Sequence, residues 1–286
     1  MNYLKHFGLR ELPFGITPDT HYFYACRSPQ EGLNTLLVAV GNGEGFIKIT
    51  GEVGTGKTLL CRKFLATLGE GWVTAYVPNP NLDPRSLLLV LAEELSIGAE
   101  PSTEQYQIMR AITRALLERA QRSHRVVLCL DEAQAMSQEA LETVRLLTNL
   151  ETEKRKLMQV VLFGQPELDQ KLESASLRQL LQRITFQHRL AGLASDELEG
   201  YLAHRLSIAG YIREFPFSGA AVAAVHRASR GVPRLVNIIA HKSLLLVYGE
   251  GGRRVARRHI QAAAEDTPAT ARLTPWWWPR LGRAHH

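Results

Sequence analysis

The phosphate-loop pattern at residues 51–58 constrains this chain more than any other feature. The segment reads GEVGTGKT and fits G-x-x-x-x-G-K-[ST] at every fixed position. An alternating, β-branched stretch at residues 46–50 precedes it, and apolar residues at helical spacing follow over residues 59–65. A strand, a glycine-rich loop and a helix in this order place backbone N–H groups at a helix N-terminus, where phosphates bind. The pattern therefore predicts a site for a nucleoside triphosphate with its Mg²⁺.

Each type of residue in the loop has a distinct expected task. The glycines let the backbone bend so that its N–H groups point at the phosphates, and Lys57 is expected to reach the β- and γ-phosphates. The Thr58 hydroxyl is the expected metal ligand within the loop. The loop residues predicted to bind the nucleotide are Gly51, Glu52, Val53, Gly54, Thr55, Gly56, Lys57, Thr58 and Leu59.

A second acidic motif follows the apolar run at residues 126–130, which ends in Asp131 and Glu132. Such a run predicts a strand buried on both faces of a parallel sheet, and open α/β sheets bind ligands at the carboxyl ends of their strands. We predict that Asp131 belongs to the nucleotide-binding site and holds Mg²⁺ through its water shell. We predict that Glu132 polarises the attacking water. The alternative is a helix start, with Asp131 as the N-cap and Glu132 in the first turn.

Gln165 and Arg234 are further candidates. Gln165 follows an apolar strand pattern and could hydrogen-bond the γ-phosphate or the attacking water, although Gly164 and Pro166 also predict an ordinary strand-to-helix turn there. Arg234 stands in the first turn of a predicted helix, where a cation opposes the helix dipole. This placement favours a phosphate partner for Arg234 over the alternative of a solvated arginine.

Two arginines, Arg178 and Arg183, stand just before the last predicted strand. In a ring or filament, one of them could reach the nucleotide of a neighbouring subunit as an arginine finger. The alternative is a solvated helix face, since most charges on helices are exposed surface. A finger supplied by a neighbour would make activity depend on a homo-oligomer, formed with ATP.

Strands alternate with helices up to about residue 190, and only helices follow. This order predicts a doubly wound parallel α/β sheet followed by an all-helical domain. We predict an irregular, aromatic-rich N-terminal arm at residues 1–28, a nucleotide-binding domain at 29–192, a helical domain at 193–265, and a tail at 266–286 rich in Pro, Trp and Arg.

Composition is typical of a soluble globular protein, with 45% hydrophobic and 22% charged residues among 286. The net charge of +6 is compatible with nucleic acid or anionic lipid and requires neither.

Cys26, Cys61 and Cys129 form no C-x-x-C pair, which predicts buried thiols in a reducing compartment. No signal peptide and no apolar run of about 18 residues is evident, so we expect a cytoplasmic location.

Three stretches, GEVGTGKT, VVLCLDEAQ and GVPR, resemble those of AAA+ ATPases. Residues 1–265 more narrowly resemble the ExeA/GspA-type secretion ATPases, in the N-terminal arm, in GQPEL at residues 164–168 and in QRI at 182–184. The resemblance implies a P-loop NTPase fold with a C-terminal helical lid and ATP hydrolysis with Mg²⁺. It also implies sensor-1, sensor-2 and finger roles for Gln165, Arg234 and Arg183 (or Arg178), and an N-terminal arm near the adenine.

The resemblance further implies a role in assembling a type IV-like pilus or type II-like secretion machine, with inner-membrane assembly proteins as partners. Longer members of that family carry a membrane segment and a peptidoglycan-binding domain, which this sequence lacks, so we expect no direct action on the cell wall. The alternative function is a DNA-associated, ATP-dependent switch like the transposition ATPases, for which the basic charge would serve phosphate contacts. A scaffold that binds ATP without hydrolysing it is disfavoured by the complete set of nucleotide motifs.

The C-terminal region combines arginine with tryptophan. Four arginines fall within residues 253–258, and Trp276, Trp277, Trp278 and Arg280 follow. Tryptophan beside arginine suits a membrane interface or a partner groove, so we expect weak docking to the cytoplasmic face of the inner membrane or to a protein there. The alternative is a solvated basic helix and a tail that folds back on the helical domain.

Overall fold

The computed structural model describes residues 2–98, 100, 102–151, 156–268 and 270. The chain divides into two compact units, one made of Pro18–Ala191 and the other of Met1–Thr17 together with Gly192–His286. The three tryptophans and Arg280 of the predicted docking tail lie outside the described residues. Their role therefore stays a prediction.

The first unit is built on a five-stranded sheet in which every neighbouring pair of strands is parallel. The strand order is β2-β3-β4-β1-β5. The strands are β1 (Phe46–Gly51), β2 (Trp72–Val77), β3 (Arg125–Leu130), β4 (Gln159–Gly164) and β5 (Ile184–Leu190). Because β1 lies inside the sheet, the loop that follows it opens at the carboxyl edge between other strand ends.

Helices cover both faces of this sheet. They are α2 (Arg27–Gly41), α3 (Lys57–Thr67), α4 (Pro84–Glu94), α5 (Gln105–Gln121), α6 (Gln138–Leu147), α7 (Glu167–Leu172) and α8 (Arg178–Leu181). Along β3, Val127 and Cys129 pack with the residues of α2 and α3, whereas Leu128 and Leu130 pack with those of α4, α5 and α6. The period of two in a continuously apolar strand therefore builds two cores, as expected for a parallel sheet.

Local signals set where several of these helices begin. Asp83 caps α4, because its carboxylate accepts hydrogen bonds from the backbone N–H groups of Arg85 and Ser86, and Pro84 occupies the first helical position. Ser137 caps α6 in the same way through the N–H of Ala140. The predicted alternation of strands and helices is confirmed.

Among the described residues of the second unit, the regular elements are all helices. The unit contains α1 (Asn2–Phe7), α9 (Leu198–Ile208), α10 (Gly219–Ser229), α11 (Pro233–Gly249) and α12 (Arg257–Glu265). Helices α10, α11 and α12 pack on one another. The buried Arg205 of α9 donates hydrogen bonds to the carbonyl oxygens of Pro13 at 2.6 Å and Gly15 at 3.1 Å. The N-terminal segment is therefore part of this unit.

The prediction of one irregular arm over residues 1–28 is wrong. Residues 2–7 form α1, a short 3-10 turn spans Thr20–Tyr22, and α2 already begins at Arg27. The segment also divides after Thr17 between the two units. Aromatic, Pro-rich composition concealed this order, because the contacts that hold the segment are with residues far along the sequence, such as Arg205. Among the described residues, no helix is both long and apolar enough to cross a membrane.

Candidate nucleotide-binding site

The phosphate loop joins β1 to α3 and curls around the ammonium group of Lys57. Gly54 and Gly56 have φ angles of 82° and 101°, which favour glycine. Lys57 Nζ donates hydrogen bonds to the carbonyl oxygens of Gly51 at 2.7 Å and Glu52 at 3.1 Å. The ammonium thus lies within the loop, from which the side chain is expected to reach a bound phosphate.

Gly51 is required by close approach rather than by its backbone angles. A Cβ atom added there would lie 2.8 Å from the carbonyl oxygen of Leu190 and 2.8 Å from Thr55 Oγ1. The Thr55 hydroxyl itself donates to the carbonyl oxygen of Glu52 at 2.8 Å, across the turn. The base of the loop therefore leaves no space for a side chain at position 51.

Thr58 and Asp131 supply converging oxygen atoms. Thr58 Oγ1 donates to Asp131 Oδ2 at 2.6 Å, and the Tyr76 hydroxyl donates to the same oxygen at 3.3 Å. The backbone N–H of Glu132 donates to Asp131 Oδ1 at 3.0 Å. A hydroxyl and a carboxylate oxygen at this separation suit Mg²⁺, which takes few protein oxygens and completes its shell with water and phosphate. The predicted Thr58–Asp131 metal pair therefore fits the geometry.

Burial shifts the charges of this cluster. Asp131 is 2% exposed, and burial, partly offset by the hydrogen bond from Thr58, raises its pKa. Lys57 is 5% exposed, and burial lowers its pKa against the opposing effect of Glu132 and Asp131. Each buried charge is costly by itself and is favoured by a partner of opposite sign. A polyanionic ligand with a cation would supply both partners.

Glu132 has a left-handed backbone, with φ of 54°, which is uncommon for a residue with a side chain. Its Oε2 accepts hydrogen bonds from Gln134 Nε2 at 2.5 Å and Gln165 Nε2 at 3.0 Å. Burial raises the pKa of Glu132, but these two bonds and the charge of Lys57 outweigh burial and leave the pKa lowered. The side chain is thus held as a carboxylate, the form that accepts a proton.

Gln165 follows β4 directly and serves both the turn and the site. Its side chain contacts Glu132, and its backbone N–H donates to Gln134 Oε1 at 3.0 Å. Gly164 is needed in front of it, because an added Cβ would lie 2.6 Å from Leu168 Cδ2. Five predicted residues therefore gather in one unit at the sheet's carboxyl edge: Lys57, Thr58, Asp131, Glu132 and Gln165.

The three candidate arginines are placed differently. Arg183 Nη1 donates to Asn149 Oδ1, and Arg178 is exposed at the start of α8. Within the described part of the chain, neither hydrogen-bonds to Lys57 or Glu132. Arg234 is exposed in the first turn of α11, in the helical unit. Finger and sensor-2 roles for these arginines stay predictions.

Sequence reasoning gave no role to Gln134, Tyr76 or Lys171, although all three contact the site or its supporting turn. Gln134 belongs to the acidic motif itself, so its position two residues after Glu132 was an available signal. Lys171 Nζ donates to the carbonyl oxygens of Gln134 at 2.5 Å and Met136 at 2.6 Å. No local pattern marks Lys171 or Tyr76, because their partners are distant in sequence.

Comparisons with known proteins agree with this geometry. Residues 40–172 match the model of the AAA domain family. Over 264 residues, or 92% of its length, the chain is 38% identical to general secretion pathway protein A of Aeromonas hydrophila, and it spans about half (48%) of that protein.

Solved structures show the same fold at low sequence identity. The Aeropyrum pernix ORC2 protein has a TM-score of 0.65 and 17% identity, with 89% of this chain and 72% of that chain covered. Cdc6p from Pyrobaculum aerophilum has a TM-score of 0.66 and 18% identity, with 87% and 70% covered. The Thermotoga maritima RuvB Holliday junction branch migration motor has a TM-score of 0.53 and 18% identity, with 83% and 68% covered. The predicted P-loop fold with C-terminal helices is confirmed.

Proposed function

We propose, from the AAA domain at residues 40–172 and the likeness to general secretion pathway protein A, that this chain is a Mg²⁺-dependent ATPase serving a secretion or pilus assembly machine. The observation that carries the catalytic part is the cluster of Lys57, Thr58, Asp131, Glu132 and Gln165 at one sheet edge. The proposed role in a secretion or pilus assembly machine rests on the sequence likeness alone.

A finer form of this proposal is assembly of a type IV-like pilus of the MSHA type. The N-terminal segment and the GQPEL stretch at residues 164–168 also resemble the MSHA pilus biogenesis ATPase MshM. We propose inner-membrane assembly proteins as partners, with the chain in the cytoplasm or against the cytoplasmic face of that membrane. Co-purification from the native host would identify the partner protein.

Binding and chemistry divide among the residues of the site. The loop N–H groups and Lys57 would bind the phosphates, while Thr58 and Asp131 would hold Mg²⁺, which offsets the charge that builds on the phosphate oxygens. Glu132, held as a carboxylate, would orient the attacking water and accept its proton. Gln165 would donate a hydrogen bond to the γ-phosphate or the water. Phosphoryl transfer needs little more than this positioning and charge stabilisation.

Completion of the site by other segments is part of the proposal. Arg234 would take the sensor-2 role and Arg183 or Arg178 the finger role that the resemblance implies, with the finger reaching the nucleotide of a neighbouring copy. Such a finger makes turnover depend on protein concentration, since the rate then follows the population of the oligomer.

Equilibrium binding of ATP with Mg²⁺ to paired lysine variants tests the nucleotide site. Lys57→Ala should lose detectable ATP binding, because the ammonium lies in the loop. Lys63→Ala removes the same charge from the same helix, where its ammonium lies 5.7 Å from the Phe23 ring centroid, and should bind as the wild type does. Equal binding by the two variants would refute the loop assignment.

A second candidate function, ATP-dependent association with DNA, is favoured by a basic surface on α5 and its C-cap residue. We define this surface by Arg110, Arg114 and Arg122, which are exposed and form no ion pair with any residue that the structure describes. Arg114 and Arg122 also line a concavity of about 440 Å³ with His124, although Glu118 interrupts the positive charge. Unpaired guanidinium groups along a helix suit phosphate contacts.

A salt titration of DNA binding separates the two candidates. Three phosphate contacts predict a slope of about −3 for log K against log salt concentration, by the rule of about −0.9 per phosphate. If the basic surface binds DNA, the triple Arg110→Ala/Arg114→Ala/Arg122→Ala variant loses this slope. Wild-type protein that shows no salt-sensitive binding, with or without ATP, removes the second candidate.

A further inference from the structure

The side chain of Gln134 is bonded at both ends. Its Nε2 donates to Glu132 Oε2 at 2.5 Å, and its Oε1 accepts from the backbone N–H of Gln165 at 3.0 Å. A backbone N–H can only donate, and a carboxylate can only accept. The amide must therefore turn its oxygen to Gln165 and its NH₂ group to Glu132, so the hydrogen-bond network itself sets the orientation.

Lys171 of α7 fixes the backbone that carries Gln134. Its ammonium donates to the carbonyl oxygens of Gln134 at 2.5 Å and Met136 at 2.6 Å. These carbonyls lie within and just after the short 3-10 turn Ala133–Ala135 that follows the acidic pair. A cation at the carbonyl end of a helical turn is electrostatically favourable. The position of Gln134 is thus held from the backbone as well as from the side chain.

The end of β4 is shaped to admit this glutamine. At Gly164, an added Cβ would lie 3.3 Å from Gln134 Oε1, in addition to its collision with Leu168. A side chain there would push the amide away from the N–H of Gln165. The 3-10 turn, the end of β4 and α7 therefore meet at Gln134, with β4 at its side chain and α7 at its backbone.

We propose that Gln134 is a positioning residue that keeps the Glu132 carboxylate aimed at the attacking water, an assignment that rests on the proposed ATPase function. Two amides hold Oε2, whereas Oε1 has no hydrogen bond with any described residue and is the oxygen that can face a water. Gln165 is also the group expected to engage the γ-phosphate. When Gln165 turns to phosphate, Gln134 still restrains Glu132, whose backbone is otherwise in an uncommon conformation.

Two substitutions at position 134 test this role, each with a matched control. Gln134→Met keeps the length of the side chain but neither donates nor accepts as the amide does. Gln134→Glu keeps an acceptor for Gln165 and replaces the donor to Glu132 with a second negative charge. Gln138→Met and Gln138→Glu make the same changes at an exposed residue whose side chain accepts from Ser176 Oγ.

The assays are steady-state ATP hydrolysis, equilibrium ATP binding and thermal melting of the full chain. Both Gln134 variants should lower kcat by about 10- to 100-fold, the scale expected when a reacting group is misplaced by about 1 Å. KM and the Kd for ATP should stay within about threefold of the wild type, because the phosphate-binding residues are unchanged. The Gln138 variants should behave as the wild type in all three assays.

Each other outcome overturns the assignment. A wild-type kcat in Gln134→Met would mean that Gln134 does not position the Glu132 carboxylate for catalysis. A kcat that falls together with ATP affinity and melting temperature, in both Gln134 variants, means a structural role only. If the wild type itself hydrolyses no more ATP than Lys57→Ala, the proposed ATPase function fails and the positioning role fails with it. An active wild type with an equally active Gln134→Met refutes the positioning role alone.

Discussion

Replacing Glu132 with glutamine removes one carboxylate charge from the site and changes little else. Its Oε2 accepts hydrogen bonds from Gln134 at 2.5 Å and Gln165 at 3.0 Å. The amide oxygen introduced by Glu132→Gln can accept both bonds, so the carbon chain has no reason to move. What is lost is the ability to take a proton from water.

The size of the expected effect follows from this role. A positioned general base contributes about 10²- to 10⁴-fold to a rate. At about 1.36 kcal/mol for each factor of ten, Glu132→Gln should raise the barrier by about 2.7–5.4 kcal/mol. Stability should fall by no more than about 1–2 kcal/mol, since two charge-assisted bonds become neutral ones. ATP binding should be retained, because Lys57 and Thr58 are untouched.

Phosphate release under saturating ATP and Mg²⁺ measures the rate, and a filter or fluorescence assay measures ATP binding. Glu139→Gln is the matched control, because Glu139 is an exposed carboxylate in the first turn of α6. Its substitution should leave both quantities unchanged. If Glu132→Gln turns over ATP within about threefold of the wild type, Glu132 is not the general base and the reasoning from its hydrogen bonds is refuted.

Three further predictions concern the helical unit and the assembly. Gly231→Ala should lower the melting temperature, because Gly231 has a φ of 75° and an added Cβ would lie 2.2 Å from the carbonyl oxygen of Leu193, while the left-handed conformation alone costs about 1–2 kcal/mol. Arg205→Met should reduce the free energy of unfolding in urea by about 3–6 kcal/mol, at about 1.5–3 kcal/mol for each of two charge-assisted bonds, whereas Arg254→Met, at an exposed ion pair, should cost less than about 1 kcal/mol. Arg183→Ala should lower kcat at least about 10³-fold without changing ATP binding, if it supplies the finger, and wild-type turnover in this variant would exclude it.

The regular elements of the sheet were predictable because their signals are local. The run at residues 126–130 is apolar throughout, and the structure has a strand at Arg125–Leu130 buried on both faces. The helix beginning at Pro84 was predictable from Asp83 and proline at the first position, and that cap is present. In each case one short segment carries all the information that the element needs.

The N-terminal segment was not predictable in this way. Residues 2–7 form a helix, although the aromatics around them suggested an irregular chain. Tyr3 and Phe7 are buried, and Pro13 accepts a hydrogen bond from Arg205, 192 positions later. Order there depends on contacts between residues that are remote in sequence, which no local pattern records.

The residues of the candidate site show the same difference between local signals and contacts that are remote in sequence. The placement of Lys57, Thr58, Asp131 and Gln165 at one sheet edge was predictable, because each follows a strand end or belongs to a motif with explicit chemistry. Lys171 was not, since its contacts with the turn after Asp131 appear only once α7 is folded against that turn.

The central claim is that this sheet edge hydrolyses ATP, and single-turnover phosphate release at high protein concentration tests it most directly. With Mg²⁺, the wild type should convert bound ATP to ADP and phosphate. Glu132→Gln should bind ATP without cleaving it, and Lys57→Ala should neither bind nor cleave ATP. Removal of Mg²⁺ with EDTA should stop release by the wild type. Phosphate release by the wild type that never exceeds that of Lys57→Ala, at any protein concentration, would contradict the account.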